Sequence, residues 1–230
     1  MADDTQAASW REATGWRRGG HHYGFVLGLI VLSLVFQLAS PDEDWARLVG
    51  IALQGLALLA ALRASRVSRT VMRLATAVVL VAVVSAAGAL IGFGVLGTTA
   101  ARSLTVLLVA AAPVAIARGT MLDFREQGAV SLHTMFGVLC IYLLIGSLFA
   151  FCDGIIDSAG TTPFFAQTSH ATVSDLLYFS FATITTVGYG DLTAATDLAR
   201  ALAIAEALTG QIYLVTVVAV IVAGLGRRPA

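Results

Sequence analysis

Between two long apolar runs the chain carries Thr186-Val187-Gly188-Tyr189-Gly190-Asp191, a short polar stretch with Gly at alternate positions. Successive carbonyls of a plain strand alternate sides, so a strand cannot aim them all at one axis. A backbone that visits the left-handed region at every second residue can, and Gly reaches that region at little cost. Gly188 and Gly190 supply that pattern, and Thr186 adds a hydroxyl oxygen at one end. The surroundings are membrane-like. The 230 residues are 58% hydrophobic with a mean hydropathy of +0.86, above the roughly half-apolar balance of soluble domains. The chain is read as an integral membrane protein.

Apolar runs of spanning length are read at Tyr23–Ala39, Trp45–Leu62, Val71–Phe93, Ala101–Ala117, His133–Phe151 and Leu198–Leu225. Residues 152–171 are expected as a polar outer loop. Thr172-Val173-Ser174-Asp175 matches a capping box, in which a Thr side chain and an acidic side chain three residues later satisfy each other's backbone N–H. Leu176 to Thr185 then reads as a short helix leading into the glycine-bearing stretch. Its C-terminal end carries partial negative charge, which favours a cation there.

Leu176-Leu177-Tyr178-Phe179-Ser180-Phe181, the stretch from Thr186 to Asp191, and Glu206-Ala207-Leu208-Thr209-Gly210-Gln211-Ile212-Tyr213-Leu214 resemble the pore module of bacterial potassium channels, over residues 133–226. The resemblance implies an all-α membrane fold with six transmembrane helices per chain, a re-entrant pore helix and filter loop, and a homotetramer. One loop per chain requires three further copies. It also implies potassium ions in the filter, held by the carbonyls of Thr186, Val187, Gly188 and Tyr189 and by the Thr186 hydroxyl, with Gly190 closing the motif. No organic cofactor is implied. Many relatives place an acidic residue in the pore helix as partner for the Asp that follows the filter. Ala182 stands there in this chain, so the Tyr178 hydroxyl is taken as the alternative brace for Asp191.

The expected organisation is a cytoplasmic segment 1–22, a four-helix membrane domain 23–117 and an amphipathic interfacial linker 118–132. The pore domain 133–226 and a cytoplasmic tail 227–230 follow. With both termini cytoplasmic in the cell membrane, eleven Arg face inward and three outward, as positive-inside orientation requires. The fourth run carries Arg102 and Arg118 at its ends and Pro113 between them, so it cannot be a conventional voltage sensor. Arg63, Arg66, Arg69 and Arg73 fall at sensor-like spacing, but in the inner connection between spans two and three, where orientation and anionic-lipid contact explain them. Asp153, Asp157 and other outer acids are expected to concentrate cations at the mouth. A competing reading takes the first run as a signal peptide.

On the last run Gly210 is read as a hinge, with close packing as a compatible role. Helical spacing then turns Gln211, Leu214, Val218 and Val222 to the pore, the apolar ones as a dewetting gate. Glu206 is read as the only carboxylate within a span, and is expected to bond Thr183 or Thr185 behind the filter. His21-His22 reads as a solvated patch next to the membrane. Cys140 and Cys152 stand about 18 Å apart on one helix, too far for a disulfide.

These readings make the chain a passive potassium channel without enzymatic activity and without nucleic-acid partners. Three alternatives stay open: a less selective cation channel, a potassium uptake transporter subunit, and a non-conducting regulatory subunit.

Overall fold

The computed structural model describes residues 22–65, 67–90, 116 and 132–219. The regular structure of these residues is helical, apart from an isolated bridge between Phe165 and Ala194. Helices α1 (His22–Ala39), α2 (Asp44–Ala64) and α3 (Arg69–Leu90) precede α4 (Leu132–Ala159), α5 (Val173–Ile184) and α6 (Asp197–Ile212), and α6 continues as a π-helical stretch, Tyr213–Val218. Among the described residues four helices are long and apolar enough to cross a membrane: Asp44–Ala64, Arg69–Gly88, Thr134–Ala159 and Asp197–Val218. They correspond to the expected second, third, fifth and sixth spans, and the expected first span is the shorter apolar helix Tyr23–Ala39. The expected fourth span (except Ile116), the linker before α4, His21, Arg66 and Val222 lie outside the described residues.

Helix α1 packs on α2, α4 and α5; α4 and α6 flank α5. The first helix is therefore seated against α4 and α5. Cys140 Sγ on α4 contacts the Tyr23 carbonyl at 3.8 Å, and Ser174 Oγ at the start of α5 donates to the Leu38 carbonyl at 3.0 Å. Both cysteines are free. Between α1 and α2 a polar trio replaces apolar packing. Ser33 Oγ donates to Gln54 Oε1 at 3.0 Å, and Gln37 Nε2 donates to Ser33 Oγ at 2.9 Å. Inside a membrane such inter-helix bonds add to packing where both groups find partners. Close approach does the rest: a Cβ on Gly55 would meet Val79 at 2.5 Å, so α2 and α3 touch backbone to side chain there.

Two boundaries differ from expectation. Helix α4 continues eight residues past Phe151 to Ala159, so Cys152 to Ala159 is helix and the outer loop starts at Gly160. The polar residues that read as a loop are partly buried against α5: a Cβ on Gly154 would lie 3.1 Å from Leu176. Asp153 is 1% exposed, so it does not contribute to an outer cation-attracting surface, and Glu206 is not the only carboxylate in a span. Asp157 accepts from the Phe164 backbone N–H at 3.2 Å and shapes the loop. The second difference concerns the arginines. Arg63 ends α2 while Arg69 and Arg73 begin α3, so these three ride on helix ends rather than in a loop; all are exposed.

Candidate functional site: the pore helix and the glycine-bearing loop

Helix α5 starts as its sequence dictates. Thr172 Oγ1 accepts from Asp175 N at 3.1 Å and Asp175 Oδ2 accepts from Thr172 N at 3.0 Å, which completes the capping box. The helix begins at Val173, directly after the cap, and Thr185 is its C-cap. Its last four carbonyls are all engaged. Phe181 O accepts from Thr185 N, Thr183 O from Thr186 N, and Ala182 O from both Val187 N (2.9 Å) and Gly188 N (3.0 Å). Ile184 O accepts from the Tyr142 hydroxyl on α4 at 3.1 Å. The loop that follows is thus tied back onto the helix end by its own first amides.

The loop backbone alternates as predicted. Gly188 has φ +52° and Gly190 has φ +79°. The sequence reading missed the third member: Thr186 has φ +60°, the one non-Gly residue with positive φ among the described residues. A β-branched residue in this region is a genuine outlier, held only where surroundings over-determine it. Its N–H bond to Thr183 O and the Gln211 Nε2 donor 3.3 Å from its hydroxyl are two such constraints. Positive φ therefore falls on residues 186, 188 and 190, with Val187 and Tyr189 between them.

Behind and beside the loop, Tyr178 Oη donates to Asp191 Oδ2 at 2.8 Å, and the Tyr178 and Tyr189 rings stack with centroids 6.2 Å apart. The bond to Asp191 pushes the Tyr178 phenol up from its ordinary range. Asp191 Oδ1 accepts from Leu192 N at 3.1 Å. The chain leaving the loop is stitched to the outer loop: Ala166 N donates to Thr193 O, Thr193 N to Gln167 Oε1 and Ala195 N to Phe164 O. Phe164, Phe165 and Phe179 form a buried edge-to-face cluster beneath this seam.

Helix α6 packs on α5 through two residues one turn apart. A Cβ on Gly210 would lie 2.5 Å from Ile184 O, and Glu206 meets Ser180. The pairs 206/210 and 180/184 are both i,i+4, so one row of each helix lies along the other. This corrects the expected Glu206 partner. Ser180, not Thr183 or Thr185, bonds Glu206, and Thr185 Oγ1 turns back to Phe181 O. It also assigns Gly210 a contact: here the helix backbones come too close for any side chain.

The irregularity of the inner helix sits below Gly210, in the π-helical stretch Tyr213–Val218. Tyr213 anchors it, donating to Val138 O at 2.8 Å and stacking on Tyr142 at 5.9 Å. The i→i+5 pattern of a π turn rotates the residues below it, so regular spacing misplaces them. Leu214 and Val218 are half-buried, whereas Gln211, Ile212, Val215 and Thr216 are exposed.

A family model described as ion channel matches residues 137–226, from α4 to beyond the π-helical stretch. The match and the apolar helices support an ion-channel region in a membrane protein. No curated protein and no solved structure matches the chain.

Proposed function

We propose that the chain is one subunit of a homotetrameric, potassium-selective channel, with the loop from Thr186 to Gly190 as its selectivity filter. The observation that carries this reading is the alternation of positive φ at residues 186, 188 and 190, at the end of a capped pore helix. Alternating handedness brings successive carbonyls to one side, the arrangement that substitutes for the water shell of a potassium ion. Potassium is the cargo, moving down its electrochemical gradient.

Four copies are supported by what a single chain leaves uncovered. Val187 and Tyr189 are exposed, as are Leu198, Ile204, Leu208, Ile212 and Val215 along the inner helix. A filter and an apolar helix face that one chain does not cover fit a pore closed by neighbours around an axis. Tyr178 and Asp191 act as the brace that the missing pore-helix carboxylate would have provided. Gln211 lies just below the filter and holds the Thr186 hydroxyl. The Arg63, Arg69 and Arg73 side chains at the inner helix ends suit anionic lipid, and a cell-membrane location with cytoplasmic termini follows from the Arg distribution. Gating is not of the conventional voltage-sensing kind.

The purified protein in liposomes tests the reading. Under mixed potassium and sodium gradients the reversal potential is expected close to the potassium equilibrium value. A reversal potential midway between the two ions assigns a non-selective cation channel, and absence of flux from well-folded tetramers assigns a regulatory subunit.

A further inference from the structure

Glu206 is 0% exposed and Asp153 is 1% exposed. They come from different helices, α6 and α4, and Asp153 stands two turns along α4 from Gly146, whose carbonyl meets Ser180 beside Glu206. Each has a buried carboxyl oxygen without a hydrogen-bond partner, Oε2 of Glu206 and Oδ2 of Asp153. The ion pairs among the described residues join Arg47 to Asp42 and Asp44, and Arg200 to Asp197, so no guanidinium there neutralises either buried carboxyl. Tyr142 and Cys152, again from α4, lie within reach of the Glu206 charge; α5 contributes the Ser180 hydroxyl.

The protons around Ser180 can be counted. Ser180 Oγ lies 2.6 Å from the Gly146 carbonyl oxygen of α4 and also bonds Glu206 Oε1. A serine hydroxyl has one proton, and a carbonyl oxygen has none to give. Ser180 therefore donates to Gly146 O, and the second bond needs a proton from the carboxyl. An ionised Glu206 would leave two lone-pair oxygens facing each other without hydrogen. A buried carboxylate without a cation does not stay ionised in an apolar site.

We infer that Glu206 forms a buried proton-binding site at the junction of α4, α5 and α6, held as the neutral acid that donates to Ser180. The ligand is the proton itself. Bound, it completes a chain from Glu206 through Ser180 to Gly146 that joins the inner, pore and outer helices. When it is lost, Ser180 has one proton for two acceptors, and the junction carries an uncompensated buried charge. Alkalinisation then loosens the support of the pore helix. The flux consequence rests on the channel reading; the protonation does not.

Infrared spectroscopy of the full-length protein at neutral pH reads the site directly. A protonated-carboxyl band is expected in the wild type. It should shift when glutamate alone is isotope-labelled, weaken in Glu206→Gln, and move in frequency in Ser180→Ala as its hydrogen bond is lost. Glutamine can still donate to Ser180, so Glu206→Gln should fold, and its potassium flux should stay flat on alkalinisation where wild-type flux falls. Labelling reads the wild type without any substitution. A wild-type spectrum with no label-sensitive carboxyl band overturns the site even if the protein conducts. An alkaline fall in flux shared by wild type and Glu206→Gln overturns the coupling to conduction.

Discussion

The Tyr178 hydroxyl stands 2.8 Å from the Asp191 carboxylate, thirteen residues along the chain and past the glycine-bearing loop. This one bond joins α5 to the residue that follows the glycine-bearing loop, on a helix where Ala182 offers no carboxyl of its own.

Tyr178→Phe removes the donor while keeping the ring that stacks on Tyr189. The channel should still assemble, but its filter should inactivate faster and select less sharply for potassium over sodium in bilayer recordings. The bond also predicts a pH trend. Donation to Asp191 raises the folded-state titration of Tyr178 above its unfolded value, so its contribution is complete below the ordinary tyrosine range and is lost as pH rises through the raised value. Unaltered inactivation in Tyr178→Phe would show that Asp191 needs no brace.

Gly188→Ala isolates backbone conformation from space. A Cβ there meets nothing within 4 Å in the single chain, yet φ is +52°. Left-handed geometry costs a non-Gly residue roughly 1–2 kcal/mol. The variant should form tetramers of near-normal thermal stability and lose most potassium flux.

Gly210→Ala separates packing from bending. The added methyl would sit 2.5 Å from Ile184 O, a clash with backbone rather than with a movable side-chain tip. Overpacking of this kind costs about 1–3 kcal/mol. A lower melting temperature together with reduced flux is expected. Normal stability with a shifted open probability would restore a pure hinge role.

Thr172→Ala removes the cap of the pore helix, including the bond that Thr172 Oγ1 accepts from Asp175 N. The loss should be about 1 kcal/mol, seen as a lower melting temperature. Thr172→Ser should recover most of it.

What could be read from the chain were the features governed by short spacing. The capping box of Thr172 and Asp175, the glycines at 188 and 190, and the approach of Tyr178 to Asp191 follow from local rules and one motif. What could not be read depended on which surfaces meet. Cys152-Asp153-Gly154 interrupts an apolar run, so it reads as a loop; contact with Leu176 keeps it helical. Thr186 was legible as an oxygen donor but not as a left-handed residue, because propensity argues against it and only its tethers impose it. The partner of Glu206 had a signal in the spacing: Glu206 and Gly210 repeat the four-residue spacing of Ser180 and Ile184, which matches one polar residue to another and a glycine to a bulky neighbour. The π-helical stretch leaves no mark in apolar periodicity, since its anchor is the contact of Tyr213 with α4.

That stretch also sets how the last helix meets its surroundings. One additional residue in a turn puts everything beneath it out of phase with everything above by about 100°. The side that carries Glu206 and Gly210 onto the pore helix is therefore not continued downward as the same side. A single rod thus presents one flank to its own chain before Tyr213 and a different flank after it, and substitutions on the two sides of Tyr213 should be compared on separate helical wheels.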